Sequence, residues 1–203
     1  MSEAESSVPV VILCGGQGTR FREETHRKPK PMIELAGRPI LWHIMNFYAG
    51  QGHREFILCL GYLGDVIKQY FLDFAAMESD FTIDLKSGSI DYHKRQSVDW
   101  KVTCVDTGQN AMTGARLKKV APHIDAEDFM LTYGDGVSSV DVAALLKFHR
   151  GHGRAATVTG VRPAGRFGEL AIDGSQVTSF SEKPVEKGYM NGGFFALKRR
   201  FLD

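Results

Sequence analysis

The sequence contains no apolar run approaching the ~18 residues that a membrane-spanning helix requires, and its opening MSEAESSVPV holds neither a basic nor an apolar stretch. Neither a membrane partner nor a secretory leader is expected, and the cytoplasm is the expected address. Charge of one sign is also lacking: 25 Lys+Arg stand against 24 Asp+Glu. No global field draws the chain to nucleic acid or to an anionic bilayer, so any anion binding has to be local. Cysteine is scarce. Cys14, Cys59 and Cys104 each sit in an apolar segment without metal-ligand spacing, which predicts reduced core thiols instead of disulfides or zinc. With 43% apolar residues and only 7 prolines in 203, disorder is excluded and a domain with a substantial core is expected.

What is present reads as alternating strands and helices. The run VPVVILC (8–14) is short, continuous and β-branched, as in a strand buried on both faces of a parallel sheet. The apolar period Ile40, Leu41, Ile44, Met45, Phe47, Tyr48 predicts a helix opened by Pro39 and closed near Gly50 and Gly52. EFILCL (55–60) predicts a second buried strand, and Val66, Ile67, Tyr70, Phe71 and Phe74 a second amphipathic helix. This order implies right-handed crossovers and a parallel sheet with helices on its faces. Between 81 and 107 the period drops to two, which predicts antiparallel or edge additions. DFMLTY (128–133) restores a buried strand, a helix follows from about Ser139 to Gly151 or Gly153, and AATVTGV, ELAI, VTSF and GGFFAL read as further strands. Residues 1–7 are expected to be a disordered tail and 8–203 a single domain.

The first strand runs into Gly15-Gly16-Gln17-Gly18-Thr19-Arg20. Glycines there let backbone approach a ligand and point N–H groups into one concavity, and a guanidinium beside them adds a phosphate clamp. The dinucleotide fingerprint G-x-G-x-x-G is incomplete, because its third glycine is Phe21, and no Gly-Lys-Ser/Thr is present. Ten residues on, His26-Arg27-Lys28-Pro29-Lys30-Pro31-Met32 predicts an extended loop presenting Lys28 and Lys30 on one side, at the sheet edge where open α/β folds bind ligands.

GGQGTR followed by KPKPM resembles the signature of the sugar-1-phosphate nucleotidyltransferases, and RPILWHIM, DTGQNAMTGARLKKV, TYGDGV, FHRGHG, GRFGEL, FSEKP and NGGFFAL continue the resemblance in one register from Val8 onward. It implies the nucleotidyltransferase fold, a Rossmann-like, mostly parallel α/β sheet flanked by helices with added antiparallel strands. Within the family these segments are most similar to enzymes that join CTP to glucose 1-phosphate, releasing CDP-glucose and pyrophosphate with Mg²⁺. By that resemblance Leu13, Gly15, Gly16, Gln17, Gly18 and Thr19 hold the nucleotide, Arg20 stabilises the departing pyrophosphate and Lys30 lies between the phosphates. Lys28 is accessory. The resemblance also implies a homo-oligomer, and a chain that stops short of the family's C-terminal part, which carries a second metal carboxylate in relatives.

Three other stretches carry chemistry. Asp135, flanked by Gly134 and Gly136 at a strand end, suits a hydrated Mg²⁺, which takes one or two carboxylates plus phosphate oxygens; an ordinary Asp-Gly turn is the alternative, and the resemblance makes Asp135 the metal ligand. Arg116 falls in a first helical turn, where a cation opposes the macrodipole, so a compensating anion is expected unless the side chain faces water. The resemblance assigns it and Ala111 to the nucleotide, although Ala111 stands where the family pattern has Ser, a departure that bears on cytosine recognition. Glu182 can accept two sugar hydroxyls and Lys183 can neutralise a phosphate; by resemblance both line the sugar-phosphate pocket with Asn191, with Gly168 near the ring. His149 and His152 lack an acidic partner and read as capping or solvated residues. Three readings stay open: this transfer, the same transfer with another nucleoside triphosphate or sugar phosphate, and a silent nucleotide-binding module of the same fold. A nicotinamide oxidoreductase is disfavoured by the missing third glycine.

Overall fold

The computed structural model describes residues 7–16, 28–93, 98–162, 169–181 and 188–203. The elements in chain order are β1 (Val10–Leu13), β2 (Glu34–Leu35), β3 (Arg38–Pro39), α1 (Ile40–Gly50), β4 (Glu55–Leu60), α2 (Gly64–Leu72) and α3 (Phe74–Met77). They continue with β5 (Phe81–Asp84), β6 (Ser89–Tyr92), β7 (Lys101–Asp106), α4 (Thr113–Val120), β8 (Asp128–Tyr133) and α5 (Val142–His152). The last are β9 (Ala156–Val161), β10 (Glu169–Asp173), β11 (Gln176–Ser181) and β12 (Met190–Lys198).

Six strands form one sheet in the order β7-β4-β1-β8-β12-β9. β7, β4, β1 and β8 are mutually parallel, and β12 runs antiparallel to both β8 and β9. Alternation along the strands builds the core on both faces: Val10, Ile12, Phe56 and Leu58 pack with α1 and α5, whereas Val11, Ile57, Phe129 and Leu131 pack with α4. The apolar period at 40–48 buries Leu41, Ile44, Met45 and Tyr48. α5 begins three residues later than Ser139 because the Asp141 carboxylate accepts from Ala144 N at 2.9 Å, and it ends at Gly153, whose φ is +67°. The helix expected to run through Phe74 breaks at Asp73 into α2 and α3. Of the period-two segment, β5 and β6 form a separate antiparallel hairpin, and β7 is an edge strand but parallel to β4.

Chain order takes β1 to β4 to β7 on one side and then returns to place β8 on the other. The switch point therefore lies between β1 and β8, and the crevice beyond their carboxyl ends is where such sheets bind ligands.

The amino end of β8 shows where the reading of His149 fails, whereas His152 Nδ1 accepts from Arg154 N at 3.0 Å just past the helix, as a capping residue does. His149 is fully buried, with Nδ1 2.7 Å from Thr157 Oγ1 and Nε2 3.8 Å from Asp128 Oδ1. The acidic partner comes from β8, distant in sequence, and Asp128 also binds Arg150 at 2.8 Å and Lys198 at 2.9 Å. His152 Nε2 shares Thr157 Oγ1 at 2.7 Å. Burial, only partly opposed by Asp128, lowers the His149 pKa below 6.5. Desolvation works against the Asp128 carboxylate, but its bonds to Arg150 and Lys198 outweigh it and lower that pKa below 3.8. Both groups favour their deprotonated forms in the fold, so the stability they contribute is full above their unfolded pKa values and is lost as pH falls through the folded ones. Tm is expected to decline as pH drops below about 6.5 and to fall again in the carboxylate range. In differential scanning calorimetry from pH 8 to 4, His149→Asn should flatten the upper segment; an unchanged slope in that variant would remove His149 from the acid response.

Candidate active site

Beyond β1 and β8 lies a cavity of about 250 Å³ lined by Leu13, Cys14, Gly15, Gly16, Lys30, Pro31, Ala111, Met112, Thr113, Arg116, Tyr133, Gly134 and Asp135. The structure thus brings together seven of the residues singled out in the sequence: Leu13, Gly15, Gly16, Lys30, Ala111, Arg116 and Asp135. Gln17, Gly18, Thr19, Arg20, Gly168, Glu182 and Lys183 lie outside the described residues, as do residues 1–6 of the expected tail. Cavities of about 530 and 660 Å³ lie elsewhere, one against Phe71, Phe74 and Trp100 and one against Arg38 and Glu78, and neither touches the ends of β1 and β8.

The floor is built by close backbone approach. Gly134 N donates to Leu13 O at 3.0 Å, and a Cβ at position 134 would lie 2.8 Å from that oxygen and 3.1 Å from Cys14 Sγ. Only glycine lets the end of β8 sit this near β1, and Asp135 follows directly. Its carboxylate stands 3.4 Å from Lys30 Nζ, with the two side chains 48% and 24% exposed, so the pair faces solvent and remains available to a ligand.

Lys30 reaches this point by a route different from the extended loop expected. Lys30–Met32 form one 3-10 turn, with Met32 N donating to Pro29 O at 2.8 Å and Ile33 N to Lys30 O at 3.1 Å. Pro31 is tolerated because its position in a first turn needs no N–H. Pro31 and Met32 are buried and anchor the turn. Lys28 and Lys30 go to different partners: Lys28 Nζ binds Glu34 at 2.8 Å, away from the cavity lining.

Arg116 is buried and does not face water. Its Nη1 donates to Leu60 O at 3.0 Å and Thr107 Oγ1 at 2.7 Å, and its Nη2 to Gly15 O at 2.9 Å and Gln109 O at 3.1 Å. The compensation expected from an anion is supplied in this state by three carbonyls and a hydroxyl. Gly15 is glycine partly for this reason, since a Cβ there would meet Arg116 Nη1 at 2.1 Å; a Cβ at Gly61 would meet it at 2.6 Å. Gly61 and Thr107 escaped the sequence reading. A signal for Gly61 exists, because ILCG (12–15) and ILCLG (57–61) are buried strands that both end in glycine.

One lining residue, Tyr133, is held from β12. Asn191 Nδ2 donates to Tyr133 Oη at 3.2 Å, and Gly193 N donates to Asn191 Oδ1 at 2.8 Å. Asn191 is therefore tied to the residue two before Asp135 without itself lining the cavity. Burial pushes the Cys14 thiol well up and the Cys59 thiol up to about 12, so neither supplies a thiolate nucleophile. Among the described residues no three His, Cys, Asp or Glu side chains cluster as a metal site. A lone exposed carboxylate between two glycines still fits a hydrated Mg²⁺ that takes its other ligands from water and phosphate.

A crevice at the switch point, walled by strand-end glycines and holding a lysine against a lone carboxylate, is suited to neutralising and orienting phosphates. Consistent with that class, residues 9–203 match the family model described as nucleotidyl transferase, and the chain belongs to this family. Its relatives include the glucose-1-phosphate cytidylyltransferase of Salmonella typhi, 50% identical over 195 residues that make up 95% of this chain and 76% of that protein. The probable glucose-1-phosphate cytidylyltransferase of Bacillus subtilis is 42% identical over 193 residues, 95% of this chain and 76% of that one. Among solved structures, HddC from Yersinia pseudotuberculosis superposes with a TM-score of 0.65 at 27% identity, covering 96% of this chain and 78% of that one. A UDP-glucose pyrophosphorylase in complex with UDP-glucose shares the fold with a TM-score of 0.64 at 15% identity, covering 97% of this chain and 78% of its own. Among the described residues no helix is long and apolar enough to cross a membrane.

Proposed function

We propose that this chain is a glucose-1-phosphate cytidylyltransferase, making CDP-glucose and pyrophosphate from CTP and glucose 1-phosphate. The observation that carries the reading is the 50% identity to relatives of that description, and the cleft chemistry agrees with it. A phosphate oxygen of glucose 1-phosphate forms the new bond to the α-phosphorus of CTP, and the bond from that phosphorus to the bridging oxygen breaks with its electron pair leaving on pyrophosphate. The nucleophile is already an anion, so no general base is needed and the protein's work is positioning and charge neutralisation.

Lys30 holds the charge shared by the donor and acceptor phosphates, and Arg20 that of the departing pyrophosphate. Asp135 would hold Mg²⁺, which when bound offsets phosphate charge. Gly15, Gly16, Gln17, Gly18, Thr19, Ala111 and Arg116 form the nucleotide wall. We assign Gly168, Glu182, Lys183 and Asn191 to the sugar-phosphate wall, and Asn191 bonds to Tyr133 of the cavity lining. Recognition of cytosine would rest on backbone at Ala111, whose methyl group offers no hydrogen bond. We place the enzyme in the cytoplasm as a homo-oligomer; the exposed Leu170, Ile172 and Phe180 of the β10–β11 hairpin suit burial against another subunit. The test is a pyrophosphate-release screen of CTP, UTP, GTP and dTTP against several sugar 1-phosphates. CTP with glucose 1-phosphate should give the highest kcat/KM, and a clear preference for any other pair overturns the assignment.

A further inference from the structure

We propose that Thr107, which does not line the cavity, is a positioning residue that sets the nucleotide wall through Arg116; this rests on the reading of the cleft as a CTP site. Thr107 is fully buried immediately after β7. Its N–H donates to Leu60 O at 3.0 Å and its hydroxyl donates to the same oxygen at 2.5 Å, while the hydroxyl accepts from Arg116 Nη1 at 2.7 Å. Its own carbonyl accepts from Lys119 Nζ at 3.0 Å. Every polar group of the residue is thus committed, and its hydroxyl joins the Arg116 guanidinium to the Leu60 carbonyl that Nη1 also binds.

That guanidinium links two backbones through Nη2, Gly15 just beyond β1 and Gln109 ahead of α4. Those segments lead directly into Gly15–Gly16 and Ala111–Thr113, both of which line the cavity. Their separation depends on where the plane of the guanidinium lies, and a planar fork with fixed donor directions transmits any rotation to both carbonyls. No carboxylate ion-pairs with Arg116 among the described residues. Its orientation is instead selected by neutral oxygens, and the Thr107 hydroxyl is the side-chain oxygen among them. Gly15 and Gly61 leave no slack on the opposite side, where Cβ atoms would come within 2.1 and 2.6 Å of Nη1.

Thr107→Val keeps the shape and removes the hydroxyl. Losing a hydrogen bond to a charged group at a preorganised site should raise KM and Kd for CTP about tenfold or more. Saturating kcat and KM for glucose 1-phosphate should stay within about threefold, and Thr107→Ser should restore the CTP values. A residue that served stability alone would lower the folded fraction, and hence apparent kcat, with KM for CTP unmoved. CTP affinity is read by calorimetric titration on the full chain beside the steady-state assay, with Tm recorded for each variant. If the Val variant is recovered unfolded, Thr107→Ala, which adds no atom at this enclosed position, carries the same comparison. Unchanged CTP affinity in a folded variant lacking the hydroxyl, or no recovery with Ser, overturns the proposal. Wild-type protein that neither binds nor turns over CTP overturns the CTP reading itself, an outcome separate from an active enzyme indifferent to Thr107.

Discussion

Lys30→Ala is expected to lower kcat by about 10²–10³-fold, on the order of 2.7–4 kcal/mol of lost transition-state stabilisation, by analogy with removing one preorganised oxyanion donor. Its fold should survive. The contact with Asp135 is 3.4 Å long between partly exposed side chains, and such pairs contribute about 0–1 kcal/mol. The turn itself is held by buried Pro31 and Met32 and by backbone bonds that the substitution leaves in place. Charge in the proposed reaction is greatest as the incoming phosphate and the departing pyrophosphate share the α-phosphorus, so a fixed cation there acts on the barrier more than on substrate binding. The measurement is steady-state pyrophosphate release beside a thermal melt. A variant with near-normal kcat would strip Lys30 of the role, and one that melts far below wild type would make it structural. Pairing with Asp135 raises one competing account, in which Lys30 only restrains that carboxylate; the double variant with Asp135→Asn should then be no worse than Asp135→Asn alone.

How much of this was legible in the sequence depends on the range of the interactions concerned. The apolar runs at 8–14, 55–60 and 128–133 are visible because a strand buried on both faces needs nearly unbroken apolar character, and these became β1, β4 and β8, three neighbours of the central sheet. Lys30 and Asp135 were visible as types at a strand end, but their 3.4 Å approach depends on two segments 105 residues apart. The sidedness of Lys28 and Lys30 was misread because alternating prolines favour extended backbone, whereas the buried Met32 makes a turn the lower-energy solution. His149 was misread for a similar reason: its acidic partner sits on another element. Least legible was Arg116. Three of its four partners are main-chain oxygens, at 15, 60 and 109, and a carbonyl carries no side-chain signature.

Gly15→Ala is expected to lose both stability and nucleotide binding, whereas Gly16→Ala next to it should keep its Tm. A Cβ at position 15 would stand 2.1 Å from Arg116 Nη1 and 2.4 Å from Cζ, while one at position 16 would meet nothing within 4 Å. A side-chain tip normally moves aside at small cost, but this one is enclosed and bound to four oxygens. Displacing it far enough to admit a methyl group forfeits at least two bonds from a charged donor, about 3 kcal/mol or more, which for a chain of this size lowers Tm by roughly 6–12 °C. The same displacement pulls the Gly15 and Gln109 carbonyls out of register, so CTP affinity should fall with it. Melting curves and CTP titrations of the two alanine variants make the comparison. The cause is isolated by placing Gly15→Ala in an Arg116→Ala background, where the clash no longer exists: the methyl group should then add little to the cost of Arg116→Ala, a strong departure from additivity. If the two costs simply sum, the guanidinium is not what requires a glycine at position 15, and the close approach of a ligand to that backbone becomes the better reason.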